Sequence, residues 1–413
     1  MAFLTSSDKA LWHLALPMIF SNITVPLLGL VDTAVIGHLD SPVYLGGVAV
    51  GATATSFLFM LLLFLRMSTT GLTAQAYGAK NPQALARALV QPLLLALGAG
   101  ALIALLRTPI IDLALHIVGG SEAVLEQARR FLEIRWLSAP ASLANLVLLG
   151  WLLGVQYARA PVILLVVGNI LNIVLDVWLV MGLHMNVQGA ALATVIAEYA
   201  TLLIGLLMVR KILKLRGISG EMLKTAWRGN FRRLLALNRD IMLRSLLLQL
   251  CFGAITVLGA RLGSDIIAVN AVLMTLLTFT AYALDGFAYA VEAHSGQAYG
   301  ARDGSQLLEV WRAACRQSGM VALAFALIYS LAGEYIIALL TSLPSLQQLA
   351  DRYLIWQAIL PVVGVWCYLL DGMFIGATRG AEMRNSMAVA AAGFAVTLLS
   401  VPLLGNHGLW LAL

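Results

Sequence analysis

The sequence predicts an all-α integral membrane protein, and three observations carry that prediction. Hydrophobic residues make up 61% of the chain and charged residues 11%, with a mean hydropathy of +0.90, far outside the range of soluble globular chains. Apolar runs of about 20 residues, the length a helix needs to cross the hydrocarbon, recur along the whole sequence. The second half of the chain also repeats the first. The expected architecture is two six-helix bundles related by a pseudo-twofold axis along the membrane normal, with twelve transmembrane helices and the last cut short at Leu413. Open sheets leave backbone groups unsatisfied in lipid, and a barrel would show alternation rather than continuous apolar runs.

Taken in order, the first span covers 13–36 and contains Pro17, Pro26 and Asp32. It ends without a small-residue cleavage site, so it reads as a retained helix rather than a signal peptide. Further spans fall at 43–67, 87–106, 131–155, 161–181 and 189–210, completing a first lobe over 1–212. The segment from Arg210 to Asp240 holds Arg210, Lys211, Lys214, Arg216, Lys224, Arg228, Arg232, Arg233 and Arg239 against Glu221 and Asp240 alone. That excess marks a cytoplasmic connection, assigned to 213–238, and six preceding spans put the N-terminus on the same side of the plasma membrane. Lys80, Arg159, Arg302, Arg379 and Arg384 agree, whereas Arg107, Arg129, Arg130 and Arg261 run against the bias. The second lobe, 239–413, holds spans at 241–260, 266–290, 312–333, 353–376 and 386–404, and a twelfth beginning near Gly408.

The repeat is direct. Gln75-Ala76-Tyr77-Gly78-Ala79-Lys80 recurs as Gln297-Ala298-Tyr299-Gly300-Ala301-Arg302, displaced by 222 residues. The same displacement pairs Ala128, Arg130 and Leu132 with Ala350, Arg352 and Leu354, and Gly154 with Gly376. Six spans in each half, an even number, give both copies the same membrane orientation, as in parallel-repeat transporters with a central cleft. On this register the second copy would run about 20 residues past Leu413.

The halves differ in their polar content. A carboxylate among apolar side chains loses hydration, so Asp32 either finds a partner or picks up a proton, unless it sits at the helix end in reach of water. Span five holds Asn169, Asn172 and Asp176, of which the last two are four apart and share a helix face. Span six adds Thr194 and Glu198, also four apart. The equivalent stretch of the second half, from Ala391 to Ser400, has no acid or amide. Two carboxylates close together in a low dielectric cannot both ionise cheaply, so Asp32 and Asp176 could share one proton; Asn172 and Asp176 could equally serve a helix–helix hydrogen bond.

These residues resemble the MATE (multidrug and toxic compound extrusion) transporters, and in particular their DinF branch, along the whole chain. The resemblance rests on Leu14-Ala15-Leu16-Pro17, Val31-Asp32-Thr33, the duplicated QAYGA loops, Gly189-Ala190-Ala191-Leu192-Ala193-Thr194 and Gly376-Ala377-Thr378-Arg379. It implies two six-helix lobes around a cavity and ion-driven efflux of small amphipathic, often cationic compounds. It further implies that Asp32 matches the span-one aspartate of proton-driven relatives, with Asn172, Asp176 and Thr194 matching polar residues of their spans five and six. The family's helix bend maps near Pro17, with Pro26 as the other proline of the span. Asp371 matches an aspartate of the sodium-driven branch, but span seven lacks that branch's glutamate, which favours H+ over Na+ as coupling ion. Asn169, Met18, Met181, Asp285 and Asp371 are candidate substrate-cavity residues, with Glu292 a further acid in the second lobe.

Other classes lack their signatures. Cys251, Cys315 and Cys367 have no paired spacing and the histidines are scattered, so no metal site or cofactor is expected. No GxxxxGK[ST] motif is present, nor a hydrolase triad or HExxH spacing, so neither ATP-driven transport nor an enzyme is expected. The +6 net charge follows from loop bias and implies no nucleic-acid partner. Lipid is the surrounding partner and a monomer the expected state. The rival reading is a lipid or lipid-linked oligosaccharide flippase, for which Arg66 and Arg244 are the mid-span cations.

Overall fold

The computed structural model describes the backbone of residues 6–37, 42–228 and 231–413; in the first helix it describes side chains over 8–22 and 35–37. No strand occurs among the described residues. Ten helices among them are long and apolar enough to cross a membrane, and α1 (Ser6–Gly37) adds a further 32-residue helix. The chain is an all-α membrane protein that divides into two compact units, Phe20–Leu235 and Met1–Ile19 with Ala236–Leu413.

The first unit contains α2 (Pro42–Leu61), α3 (Phe64–Gly78), α4 (Pro82–Leu105), α5 (Arg107–Val118), α6 (Glu122–Arg135), α7 (Ala139–Gly154), α8 (Arg159–Asp176), α9 (Asn186–Leu215) and the short α10 (Gly220–Ala226). Two buried tryptophans anchor its core, and each indole N–H finds an acceptor as burial requires: Trp136 donates to Thr55 Oγ1 at 3.0 Å and Trp151 to the Leu85 carbonyl at 3.0 Å. The second unit continues with α11 (Arg232–Leu262), α12 (Ser264–Gly300), α13 (Gly304–Leu340), α14 (Pro344–Gly376), α15 (Gly380–Thr397), α16 (Val401–Leu404) and α17 (Asn406–Ala412).

The unit boundary departs from the sequence expectation of 1–212, 213–238 and 239–413 in two places. The start of α1 groups with the C-terminal half because polar and apolar contacts tie it there. Arg316 Nη2 donates to both oxygens of Asp8, at 3.1 and 3.0 Å, and Gln317 Nε2 donates to the Asp8 carbonyl at 2.8 Å. Trp12 stacks edge-on against Phe287 at 5.1 Å. The basic connection, in turn, is no separate linker: α10 packs on α4, where buried Gln91 Nε2 donates to the Ala226 carbonyl at 3.2 Å.

The repeat is visible in local geometry. Helix boundaries at Pro42, Gly78, Pro82 and Gly154 recur 222 residues later at Ser264, Gly300, Gly304 and Gly376. In both QAYGA loops the basic residue ends the helix in the left-handed region, Lys80 at φ 53° and Arg302 at φ 56°. The next residue caps the following helix: Asn81 Oδ1 accepts from the Ala84 amide at 3.2 Å and Asp303 Oδ1 from the Gln306 amide at 3.1 Å. Donation from Gln306 and then Ser305 holds the Asp303 carboxyl below the usual carboxylate range. Gly154 and Gly376 mark equivalent close approaches: a Cβ at Gly154 would meet the Thr70 carbonyl oxygen at 3.1 Å, and one at Gly376 the Glu292 carbonyl oxygen at 2.8 Å.

The units differ in continuity. The first breaks its helices at Leu62–Leu63, at Leu106 and at Trp136–Ser138, whereas α12, α13 and α14 run unbroken for 37, 37 and 33 residues. Interrupted helices at membrane depth release backbone polar groups, which are tolerated inside protein or beside a cavity.

The end of the second unit is fastened by amides. Asn270 and Asn406 exchange hydrogen bonds at 2.9 and 2.8 Å, and Trp410 Nε1 donates to Asn270 Oδ1 at 3.0 Å, all buried. Asn270→Leu strands the Asn406 amide and the Trp410 N–H, so the expected loss is about 3 kcal/mol. Trp410→Phe should lose about 1 kcal/mol. Thermal unfolding of the purified protein, followed by tryptophan fluorescence or by loss of the monodisperse peak, measures both.

Candidate functional site

The polar cluster expected on spans five and six is assembled within the first unit. Helical spacing puts Asn172 and Asp176 one turn apart on α8, and both are buried, with 3% and 1% exposure. Asn172 Nδ2 donates to Thr194 Oγ1 on α9 at 3.3 Å, and the Thr194 hydroxyl donates to its own helix at the Ala190 carbonyl, 3.2 Å away. Asn172 Oδ1 is a buried acceptor with no hydrogen-bond partner among the described residues. Asn169, one turn before Asn172, is half-buried.

Directly after Asp176 the α-helix gives way to a π-helical turn, Val177–Gly182. The wider turn closes with Leu183 N–H to the Trp178 carbonyl and Met185 N–H to the Leu179 carbonyl, both at 3.0 Å. Such insertions concentrate at functional positions because they re-aim side chains and loosen the i to i+4 ladder. Nothing in the side-chain pattern of an apolar run distinguishes a π turn from an α turn, so this feature was not legible in the sequence. Met181 lies on this turn with 46% exposure.

An amide–acid contact lies one turn along α9. Asn145 Nδ2, on α7, donates to Glu198 Oε2 at 2.9 Å and to the Glu198 carbonyl at 3.1 Å. Thr194 and Glu198 thus form a stripe met by an amide from each of two neighbouring helices. Asn145 was missed because it stands alone in its span; an amide in an apolar run was the signal that could have found it. Arg66 is likewise buried, at 2% exposure, on the first turn of α3 after the break at Leu62–Leu63, with its Nη1 3.4 Å from Thr70 Oγ1.

The remaining candidates fall elsewhere. Asp32 and Pro26 lie on α1, whose backbone is helical from Ser6 to Gly37, but their side chains are outside the described residues. The helix continues through Pro17, which is half-buried. Met18 is 1% exposed and belongs to the second unit. Asp371 and Arg244 form an ion pair within the second unit, with side-chain exposures of 34% and 13%. Asp285 is half-buried on α12, and Glu292 is 1% exposed on the same helix. Of the two mid-span cations, Arg244 is therefore the partner of Asp371. No group of three or more His, Cys, Asp or Glu residues that could hold a metal ion occurs among the described residues.

Long apolar helices carrying buried acids, amides and an ion pair within their spans are those of a polytopic membrane protein. The sequence profile of the MatE family matches residues 17–178 and again 241–404, one segment in each half. The chain belongs to this family, the MATE transporters, and to its DinF branch. It is 95% identical over 413 residues to the DNA damage-inducible protein F of Escherichia coli K12, covering all of this chain and 90% of that protein. It is 24% identical over 417 residues to a probable multidrug resistance protein NorM of Acinetobacter baylyi, covering 98% of this chain and 92% of the relative. The fold matches an outward-facing multidrug resistance MATE family transporter of the MOP superfamily with a TM-score of 0.85 at 23% identity, over 99% of this chain and 92% of that one. A MOP superfamily transporter from Pyrococcus furiosus gives 0.83 at 23% identity over the same shares.

Proposed function

We propose that this chain is a proton-coupled antiporter that exports small amphipathic, often cationic compounds. It would reside in the cytoplasmic membrane with its N-terminus and basic connection inside. The observation that carries this reading is the buried Asp176, one turn from Asn172 and at the start of a π-helical turn. A buried carboxylate at this position is costlier ionised than protonated, and a cation beside it offsets that cost, which is the property a proton-for-cation exchanger needs. Support for protons over sodium comes from the second unit, where Asp371 already has a resident cation in Arg244. The NorM relatives, described as probable multidrug resistance proteins, support the substrate class.

The cycle follows from the protonation state. With Asp32 and Asp176 together carrying at least one negative charge, the site attracts an organic cation by charge and apolar contact. A proton arriving on Asp176 removes charge and turns an acceptor-only carboxylate into a donor. The buried Asn172 Oδ1, one turn away, is an acceptor for that O–H. The amide that bonds Thr194 therefore responds to the proton, and α8 and α9 repack around it while cargo leaves outward. Loss of the proton to the cytoplasm resets the site.

The test is substrate-triggered proton release from the purified chain in detergent and proton uptake in vesicles, each with and without sodium. Proton signals unchanged by sodium are expected. Substrate binding without proton movement, or proton movement that requires sodium, would overturn the assignment.

A further inference from the structure

The first unit carries a dense cationic surface at one end that the transport reading does not use. The alternating helices bring the end of α3, the start of α4, the end of α7, the start of α8 and the end of α9 to that end. Exposed Lys80, Arg87 and Arg159 stand at these helix ends, and six more exposed cations lie between Arg210 and Arg228. Glu221 is the single acid within 205–228. Loop bias alone asks for cations on this side, but not for a built platform.

The platform is built by α10. Ser219 caps it through the Met222 amide at 3.3 Å, and Ile218 and Ala226 are buried in the same apolar cluster as Leu85 and Leu89 of α4. The helix is thereby held against the bundle with Lys224, Trp227 and Arg228 exposed. Trp227 is 52% exposed and Leu215, at the end of α9, is 70% exposed. The Arg216 guanidinium is fixed over the Tyr77 ring, 4.6 Å from its centroid. A guanidinium held over a ring, with exposed lysines around it and an exposed indole and leucine beside it, matches the two layers of a bilayer interface, phosphate outside and acyl chain beneath.

We propose that this surface, centred on Lys214, Arg216, Lys224 and Trp227, binds the headgroup of an anionic phospholipid of the adjoining leaflet. The Arg228 guanidinium lies 5.4 Å from the centroid of the Trp227 ring, and a free phosphate would satisfy the charges but leave Leu215 and the rest of the indole surface without an apolar contact. A zwitterionic lipid would satisfy the apolar groups but not the charge. The ligand is thus a lipid with net negative charge, held at the junction of α9 and α10.

The full chain in detergent is titrated with phosphatidylglycerol, phosphatidylcholine or glycerol 3-phosphate, and bound ligand is counted by native mass spectrometry. Phosphatidylglycerol is expected to bind at least about tenfold more tightly than phosphatidylcholine, and glycerol 3-phosphate to bind negligibly at the same concentration. Lys214→Gln, Arg216→Gln and Lys224→Gln combined should weaken phosphatidylglycerol by about 100-fold, roughly fivefold for each cation. Arg129→Gln with Arg130→Gln, at the opposite end of the unit, should leave it unchanged. Raising salt on the unmodified protein should weaken phosphatidylglycerol and spare phosphatidylcholine, a readout independent of any variant's folding. Equal binding of the two lipids overturns the proposal, as does wild-type binding by the triple variant. Binding of glycerol 3-phosphate as tight as the lipid would assign the surface to soluble phosphates instead.

Discussion

Asp176→Asn is expected to bring substrate-driven proton movement down to the level of empty vesicles, a loss of about 100-fold, while the chain still inserts and purifies. The substitution is nearly isosteric, and a neutral amide at a 1% exposed position is less costly to bury than an ionised carboxylate. The thermal unfolding midpoint of the variant, measured beside the transport assay, separates loss of the titratable group from loss of fold. Asn172→Leu keeps that group but removes both the Thr194 bond and the neighbouring acceptor, so a partial loss of about tenfold is expected. Asp32→Asn should reproduce the Asp176→Asn defect if the two acids hold one shared proton. The readout is proton uptake per substrate molecule together with substrate affinity. Normal coupling in Asp176→Asn would remove Asp176 from the cycle, whatever the behaviour of Asp32.

What could be read from the sequence was local or repeated. Helical periodicity put Asn172 and Asp176 on one face because residues four apart depend only on backbone geometry, and the 222-residue register followed from identical loops. Non-local pairings depend on how each helix is rotated and seated against its neighbours, which an apolar run does not encode. Asn145 reaches Glu198 across 53 positions and Arg244 reaches Asp371 across 127. Asp8 is the clearest case: hydropathy leaves it in the polar start of the chain, yet it is 1% exposed and held by residues more than 300 positions away. Its burial follows from its partners, since a carboxylate enters the interior only when paired and hydrogen-bonded. The helix break at Leu62–Leu63 was equally hidden, because neither leucine is a helix breaker, whereas the breaks at Leu106 and Trp136–Ser138 lie just before Pro109 and Pro140.

Breaking the Arg244–Asp371 pair is expected to destabilise the second unit, and to do so unequally from its two sides. Arg244→Gln leaves a carboxylic acid, which can take up a proton and become neutral. Asp371→Asn leaves a guanidinium, which stays charged at any accessible pH and, at 13% exposure, has little water to replace its partner. Removing one partner of a buried pair costs about 3–5 kcal/mol. The 34% exposure of Asp371 brings the Arg244→Gln loss down to about 2 kcal/mol, while Asp371→Asn should sit near 3 kcal/mol or above. Arg244→Met with Asp371→Leu removes both charges and their desolvation together, so the double variant should recover most of the unmodified stability. The measurement is the midpoint of thermal unfolding for the three variants in one detergent. A double variant no more stable than Asp371→Asn would mean that the two side chains act through other neighbours. Equal midpoints for the two single variants would mean that the guanidinium, left alone, finds water or another acceptor, and that the pair does not hold α11 to α14.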